Sequence, residues 1–197
     1  MAGIRTFVAI ELNEEIRHGL ERVTDILRSN TPERAVRWVD ANKIHLTLKF
    51  LGDVGPSQIE PIADALQVAT SQANPFSLEA SGLGCFPNTR RPRVIWVGLS
   101  EPIDALRTLH NAVDTELKKL GFEPERRRFS PHLTLGRVRR GVSSSDVREI
   151  GQLVESMEVG IIGRQMVTEI HLFKSDLQPA GAVYTSLATL LLGESRK

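Results

Sequence analysis

Ser130-Pro131-His132-Leu133-Thr134-Leu135-Gly136-Arg137 contains a tetrapeptide, His-Leu-Thr-Leu, that the chain has already used in Ile44-His45-Leu46-Thr47-Leu48-Lys49-Phe50-Leu51-Gly52. The two copies lie 132 − 45 = 87 residues apart, a little under half of the 197-residue chain. Alternate side chains of a β-strand point to opposite faces. In each copy, therefore, His and Thr share one face and the two Leu share the other. The Leu face can enter a core. The His–Thr face is left turned toward whatever lies across from it. Two such strands on one cleft would set two imidazoles and two hydroxyls around a single small object.

The segments around the motifs repeat in kind. Thr6 to Leu12 is β-branched and apolar, and Asn13 can cap a helix with Glu14 and Glu15 in its first turn. Ile16, Leu20, Val23 and Leu27 recur at helical spacing, so 14–29 reads as an amphipathic helix. A loop with Pro32, a short strand at 36–39 and the first motif strand at 44–51 follow. Gly52 to Pro56 has turn chemistry, Ser57 opens a second helix, and 76–86 reads as a strand loosened by Gly82 and Gly84. The order then restarts: a strand at 93–99, a helix at 101–120 closed by Gly121, a charged loop, the second motif strand at 131–138 and a helix at 146–155. Strands are expected at 157–162, 165–174 and 183–192.

With the 87-residue offset, Arg5–Leu12 falls on Pro92–Leu99 and Ser57 on Ser144. An internal repeat of this kind predicts two similar lobes related by a pseudo-twofold, with the site where they meet. The expectation is an α+β fold in one domain, 1–197, made of a two-lobed, pseudo-symmetric duplication. Antiparallel sheets line a central cleft and helices lie outside. The lobes run over about 1–90 and 91–197, with strand exchange between them allowed.

Composition narrows the classes. Hydrophobic residues make up 41% and charged residues 25%, ordinary values for a soluble domain. The net charge of +1 creates no global field that would attract nucleic acid. Basic character is local: Arg90, Arg91 and Arg93; Arg126, Arg127 and Arg128; Arg137, Arg139 and Arg140. Two of these groups flank the second motif, where they could position phosphates. Cys85 is the only cysteine, so no internal disulfide is expected. The apolar start is too short for a signal segment, and the greasy run at 187–192 is far below the roughly 20 residues of a membrane span. A cytoplasmic monomer without membrane contact is expected.

A lone His on a strand is ordinarily structural. Its recurrence at the equivalent point of a repeat favours chemistry. Metal binding is the rival. A zinc site takes three or four Cys, His or carboxylate ligands. His171 could join the pair, but its flanks do not repeat the motif. His18 and His110 fall in helices. No metal and no other cofactor is expected. Gly-x-Ser-x-Gly, Gly-x-x-x-x-Gly-Lys and Gly-x-Gly-x-x-Gly are all absent, so a serine hydrolase, NTP and dinucleotide chemistry have no support. Aromatics are only 5%, too few for an extended base-stacking platform, although Phe7, Trp38, Phe50 and Phe129 could stack a terminal base.

An unperturbed imidazole titrates near pH 6.5, so one can act as base while its partner carries a proton. Placed on opposite sides of a phosphorus, the pair suits in-line displacement. One takes a proton from the attacking oxygen and the other protonates the leaving oxygen. Each such group is worth about 10²–10⁴-fold, so together on the order of 5–11 kcal/mol of barrier. Thr47 and Thr134 could hold the non-bridging oxygens. A strained 2′,3′-cyclic phosphate needs no metal for this.

The paired His-x-Thr-x motifs with these flanks, together with Arg5-Thr6-Phe7-Val8-Ala9-Ile10 and Arg93-Val94-Ile95-Trp96, resemble the 2H phosphoesterase superfamily, specifically its RNA 2′,3′-cyclic phosphodiesterases, also called 2′-5′ RNA ligases. The resemblance covers nearly the whole chain. It implies hydrolysis of the cyclic end of RNA to a 2′-phosphate, and in some members reversible 2′-5′ joining of tRNA halves. It implies His45 as proton donor and His132 as acceptor, labels that the near-symmetry of the site leaves interchangeable. Arg137 matches a family arginine, and Phe50 and Phe7 complete the expected substrate-binding set. Simple alternation from His132 places Arg137 on the opposite face, so reaching phosphate requires a twist or bulge in the strand. Two other readings stay open: an RNA-end binder without catalysis, and a 2H enzyme for a small cyclic phosphate or a 2′-5′ oligoadenylate.

Overall fold

The computed structural model describes residues 3–100, 103–125, 128–178 and 181–194. Its α+β architecture is that expected: two antiparallel sheets with four helices. The first sheet has the order β3-β1-β8-β9 and contains β1 (Ile4–Ile10), β3 (Leu46–Val54), β8 (Glu169–Gln178) and β9 (Gly181–Leu191). The second has the order β2-β6-β5-β4-β7 and contains β2 (Val36–Trp38), β4 (Phe76–Phe86), β5 (Val94–Leu99), β6 (Leu133–Val138) and β7 (Ile161–Val167). The helices are α1 (Glu14–Ser29), α2 (Ile59–Ser71), α3 (Asp104–Lys118) and α4 (Ser144–Ser156). Among the described residues no helix is long and apolar enough to cross a membrane.

Side-chain chemistry explains the element ends. Asn13 caps α1, its Oδ1 accepting from the Ile16 amide at 3.0 Å, while its Nδ2 donates to the Arg164 carbonyl at 2.8 Å and so ties the helix start to β7. Ser143 caps α4 in the same way, accepting from the Asp146 amide at 3.1 Å. Ile16, Leu20, Val23 and Leu27 all lie on the buried face of α1, as their spacing predicts. The four motif leucines, Leu46, Leu48, Leu133 and Leu135, enter one continuous core with the helices.

Two boundary expectations are corrected. Of the strand expected at Met157–Ile162 only Ile161 and Ile162 lie in a strand, because α4 runs to Ser156, the Met157 amide bonds the Leu153 carbonyl, and pairing to β4 begins only at Ile161. The single strand expected at 165–174 is two strands in different sheets, β7 beside β4 and β8 beside β1. The chain changes sheet at Thr168, inside a run with no Gly or Pro to mark the break. Arg126 and Arg127, and the first residues of the expected helix at 101–120, lie outside the described residues.

The register holds a feature that decides the site. Along β3, Lys49 faces Val8 and Thr47 faces Ala9, leaving Leu48 as an extra residue. Along β6, Gly136 faces Ile95 and Thr134 faces Trp96, leaving Leu135 as an extra residue. These are two β-bulges at equivalent points of the repeat, 135 − 48 = 87 residues apart. Each bulge turns two consecutive residues, Leu48-Lys49 and Leu135-Gly136, to the buried side. The next residue, Phe50 or Arg137, is thereby carried onto the His–Thr face. Gly136 corroborates this geometry. A Cβ there would lie 2.7 Å from Val36 Cγ1 and 2.8 Å from Trp38 Cε3, so its side-chain direction is toward the core and that of Arg137 is away from it.

Lys49, 2% exposed, is held on the core side by an ion pair with Asp114 of α3 and a 3.1 Å hydrogen bond to the Glu123 carbonyl. His110 lies 3.9 Å from Asp114 and stacks on Phe129 at 3.8 Å. Phe129 is thus occupied below the loop leading to His132.

Candidate active site

Both motif histidines stand immediately before their strands and are half-buried, as are Thr47 and Thr134. Each ring is fixed by the residue two positions upstream. His132 Nδ1 bonds the Ser130 carbonyl at 2.8 Å. A carbonyl only accepts, so Nδ1 carries the hydrogen and Nε2 is the nitrogen left for chemistry. His45 is bonded to the backbone of Lys43 in a contact that raises its pKa, as a carbonyl acceptor does. Lys43 and Ser130 are again 87 residues apart. The motif therefore repeats its bulge and its histidine anchor as well as its letters.

The approach to His45 is set by the pairing of β2 with the second motif's strand. β2 lies antiparallel to β6, and the Val39 amide extends the ladder by donating to the Leu135 carbonyl at 2.8 Å. Asp40 then caps a 3₁₀ turn at Ala41–Lys43, accepting from the Asn42 amide at 3.0 Å, and the chain arrives at His45. The entry to the first motif is thus built on the strand of the second.

Beneath His45 lies an aromatic floor on the first sheet. The ring stacks on Phe7 at 4.6 Å, and Tyr184 of β9 meets it edge-on at 5.0 Å. Phe7 in turn stacks on Phe173 at 5.3 Å, and Phe173 on His171 at 5.3 Å. Phe7 is 3% exposed, with the imidazole over its face. Phe50, opposite Phe7 in the register, is 59% exposed. Burial pulls His45 from 6.5 down to about 4, against the lift from the Lys43 backbone. A cavity of about 320 Å³ opens beside the ring and is lined by Arg17, Lys43, Phe173 and Tyr184, among others.

His132 has its own aromatic wall. Phe86 meets it edge-on at 4.9 Å, and Trp96, opposite Thr134 in the register, lies 6.5 Å away. Gly84 makes room for that indole: a Cβ there would fall 2.3 Å from Trp96 Cη2. Gly84→Ala is expected to lower stability by about 1–3 kcal/mol, read as a shift in the denaturation midpoint. An unshifted midpoint would show that the indole can move aside.

Tyr184 lies within the field of charges from both sheets. Burial raises its pKa, while the charges of Arg5, from the first sheet, and Arg137, from the second, lower it. Arg137 is therefore near enough for its charge to be felt at a ring that touches His45. Tyr184 was not singled out from the sequence. The one available signal was that it is the only tyrosine in the chain. Trp38 lies over Gly136 on the core side and lines a groove with residues of α1. His171 is engaged at both nitrogens, Nδ1 with Thr189 Oγ1 at 3.1 Å and Nε2 with Glu169 at 3.3 Å. His18 is exposed on α1. Among the described residues no group of three or more His, Cys, Asp or Glu could hold a metal ion.

The duplicated frame has its counterpart in the comparison with known families. The model of the LigT-like phosphoesterases matches the chain twice, over 10–96 and 97–184. The chain belongs to that family and is a phosphoesterase. It is 35% identical over 189 residues to the RNA 2′,3′-cyclic phosphodiesterase of Methanothermobacter thermautotrophicus, covering 96% of this chain and 99% of that one. To the enzyme of the same name from Archaeoglobus fulgidus it is 36% identical, covering 93% and 98%. The structure of Escherichia coli LigT complexed with 3′-AMP superposes with a TM-score of 0.75 at 26% identity, covering 98% of this chain and 99% of that one. TT0787 of Thermus thermophilus superposes with a TM-score of 0.77 at 27% identity, covering 98% and 100%.

Proposed function

We propose that the chain opens the 2′,3′-cyclic phosphate at the end of RNA to a 2′-phosphate, using His45 and His132 as the acid–base pair. The observation that carries this reading is the twofold repetition of the whole catalytic frame: carbonyl-anchored imidazole, threonine on the same face, then a bulge. A structural histidine would have no reason to recur with its anchor and its bulge.

In the proposed step His132 accepts the proton of the attacking water as its oxygen bonds to phosphorus. The P–O3′ bond breaks, and His45 protonates O3′. Thr47 and Thr134 hold the non-bridging oxygens, where charge resides. An RNA 5′-hydroxyl in place of water would give a 2′-5′ join by the same transfers. Phe7 serves as the floor under His45, and the exposed ring of Phe50 is the surface available to a base. His45 by itself is neutral at pH 7, since burial holds it near 4. Its donor role therefore depends on the substrate, whose phosphate anion stabilises the charged ring.

The test is turnover of a nucleoside 2′,3′-cyclic phosphate with product analysis. The expected product is the 2′-phosphate, formed at an unchanged rate after EDTA treatment. Loss of activity to EDTA with recovery on adding zinc would refute the metal-free mechanism. Binding of cyclic-ended RNA without product would favour the non-catalytic reading.

A further inference from the structure

Arg37 of β2 and Arg137 of β6 stand directly opposite each other in an antiparallel pair. Directly opposed residues share a sheet face, and like charges in that position repel. Both arginines are exposed. Among the described residues neither has a carboxylate partner, whereas Arg28, Arg107 and Arg164 each do. Val36 and Trp38, which flank Arg37, meet the core side of Gly136, so Arg37 points to the other side, the one carrying His132 and Thr134. The second bulge brings Arg137 to that same side. Arg139, also exposed, continues the basic row two residues on.

We infer that Arg37 and Arg137 form a second phosphate subsite, one that takes the 5′-phosphate of the terminal nucleotide when its 2′,3′-cyclic phosphate lies at the histidines. This rests on the function proposed above and extends it from a cyclic phosphate to a polynucleotide end. Two unpaired guanidiniums held side by side are relieved of their repulsion by an anion between them. Arginine is also suited to fork-like bonding of phosphate oxygens. The position fits a chain leaving the site. Arg137 is three residues beyond Thr134, about 10 Å along the strand. β2 is the outer strand of its sheet, so the pair lies at an open rim. A polynucleotide entering from there meets the arginines before its end reaches the histidines.

The experiment compares kcat/KM for a nucleoside 2′,3′-cyclic phosphate with a 5′-hydroxyl, the same compound with a 5′-phosphate, and a dinucleotide with a cyclic end. The 5′-phosphate is expected to raise kcat/KM about tenfold, as one charge-assisted contact does. Arg37→Gln should remove most of that gain, and Arg37→Lys should keep part of it. The slope of log(kcat/KM) against log[salt] on the dinucleotide should fall by about 0.7 in Arg37→Gln, one phosphate contact on a single strand. Equal kcat/KM with and without the 5′-phosphate, or a gain that survives Arg37→Gln, would overturn the subsite. Affinity for a nucleoside 2′-phosphate with and without a 5′-phosphate, in wild type and Arg37→Gln, tests the subsite without turnover. A 5′-phosphate preference lost in the variant supports it even if no cyclic substrate is opened, in which case only the catalytic reading fails.

Discussion

His45→Ala and His132→Ala are each expected to lower kcat on a 2′,3′-cyclic nucleotide by about 10²–10⁴-fold, because each removes one of the two proton transfers. The double variant should lose less than the product of the single losses, since the two groups act as a unit. Folding must be kept apart from chemistry at His45, whose ring covers Phe7. His45→Gln retains most of the side-chain volume and cannot serve as a matched acid. It should lose turnover as severely as His45→Ala while keeping a denaturation midpoint closer to wild type. His132 has an exposed anchor, and its alanine variant should fold normally. Steady-state rates on a cyclic mononucleotide decide the matter. Either alanine variant retaining a tenth or more of wild-type kcat would remove that imidazole from the mechanism.

The second large effect is in pH. Burial holds free His45 at about 4, against 6.5 when unfolded. Between these values the unfolded chain binds more protons than the native one, so stability rises with pH. The contribution is fully present above pH 6.5 and is lost progressively down to pH 4. It amounts to on the order of 3 kcal/mol. His45→Gln should flatten that part of the stability–pH curve. A bound 2′-phosphate nucleotide adds an anion beside the ring and should raise the His45 midpoint by about two pH units or more, with proton uptake on binding. Titration of the imidazole resonance by NMR, with and without the nucleotide, reads both values. A midpoint unmoved by the ligand would show that the phosphate does not sit at His45, and the donor assignment would fail with it.

Much of this fold was legible in the chain because burial and periodicity coincide. The motif leucines, the α1 stripe and the Asn13 cap could be read directly, since each rests on local spacing. The bulges could not. A bulge is a property of a strand together with its partner, and nothing in Leu48-Lys49 or Leu135-Gly136 announces it. For that reason simple alternation places both Arg137 and Phe50 on the leucine face, and only the bulges bring them to the other. Tyr184, Phe173 and Phe86 escaped for a related reason: they reach the histidines from strands distant in sequence, and their spacing resembles that of any core strand. The break at Thr168 was hidden because both flanking segments favour strand.

The matched bulges also bear on how the molecule arose. An extra residue at the same place in both copies is most simply inherited once, so the irregular strand was present in the ancestral half before that half was doubled. Later divergence then put a phenylalanine on one projecting position and an arginine on the other, so that two arms of one origin now present different chemistry.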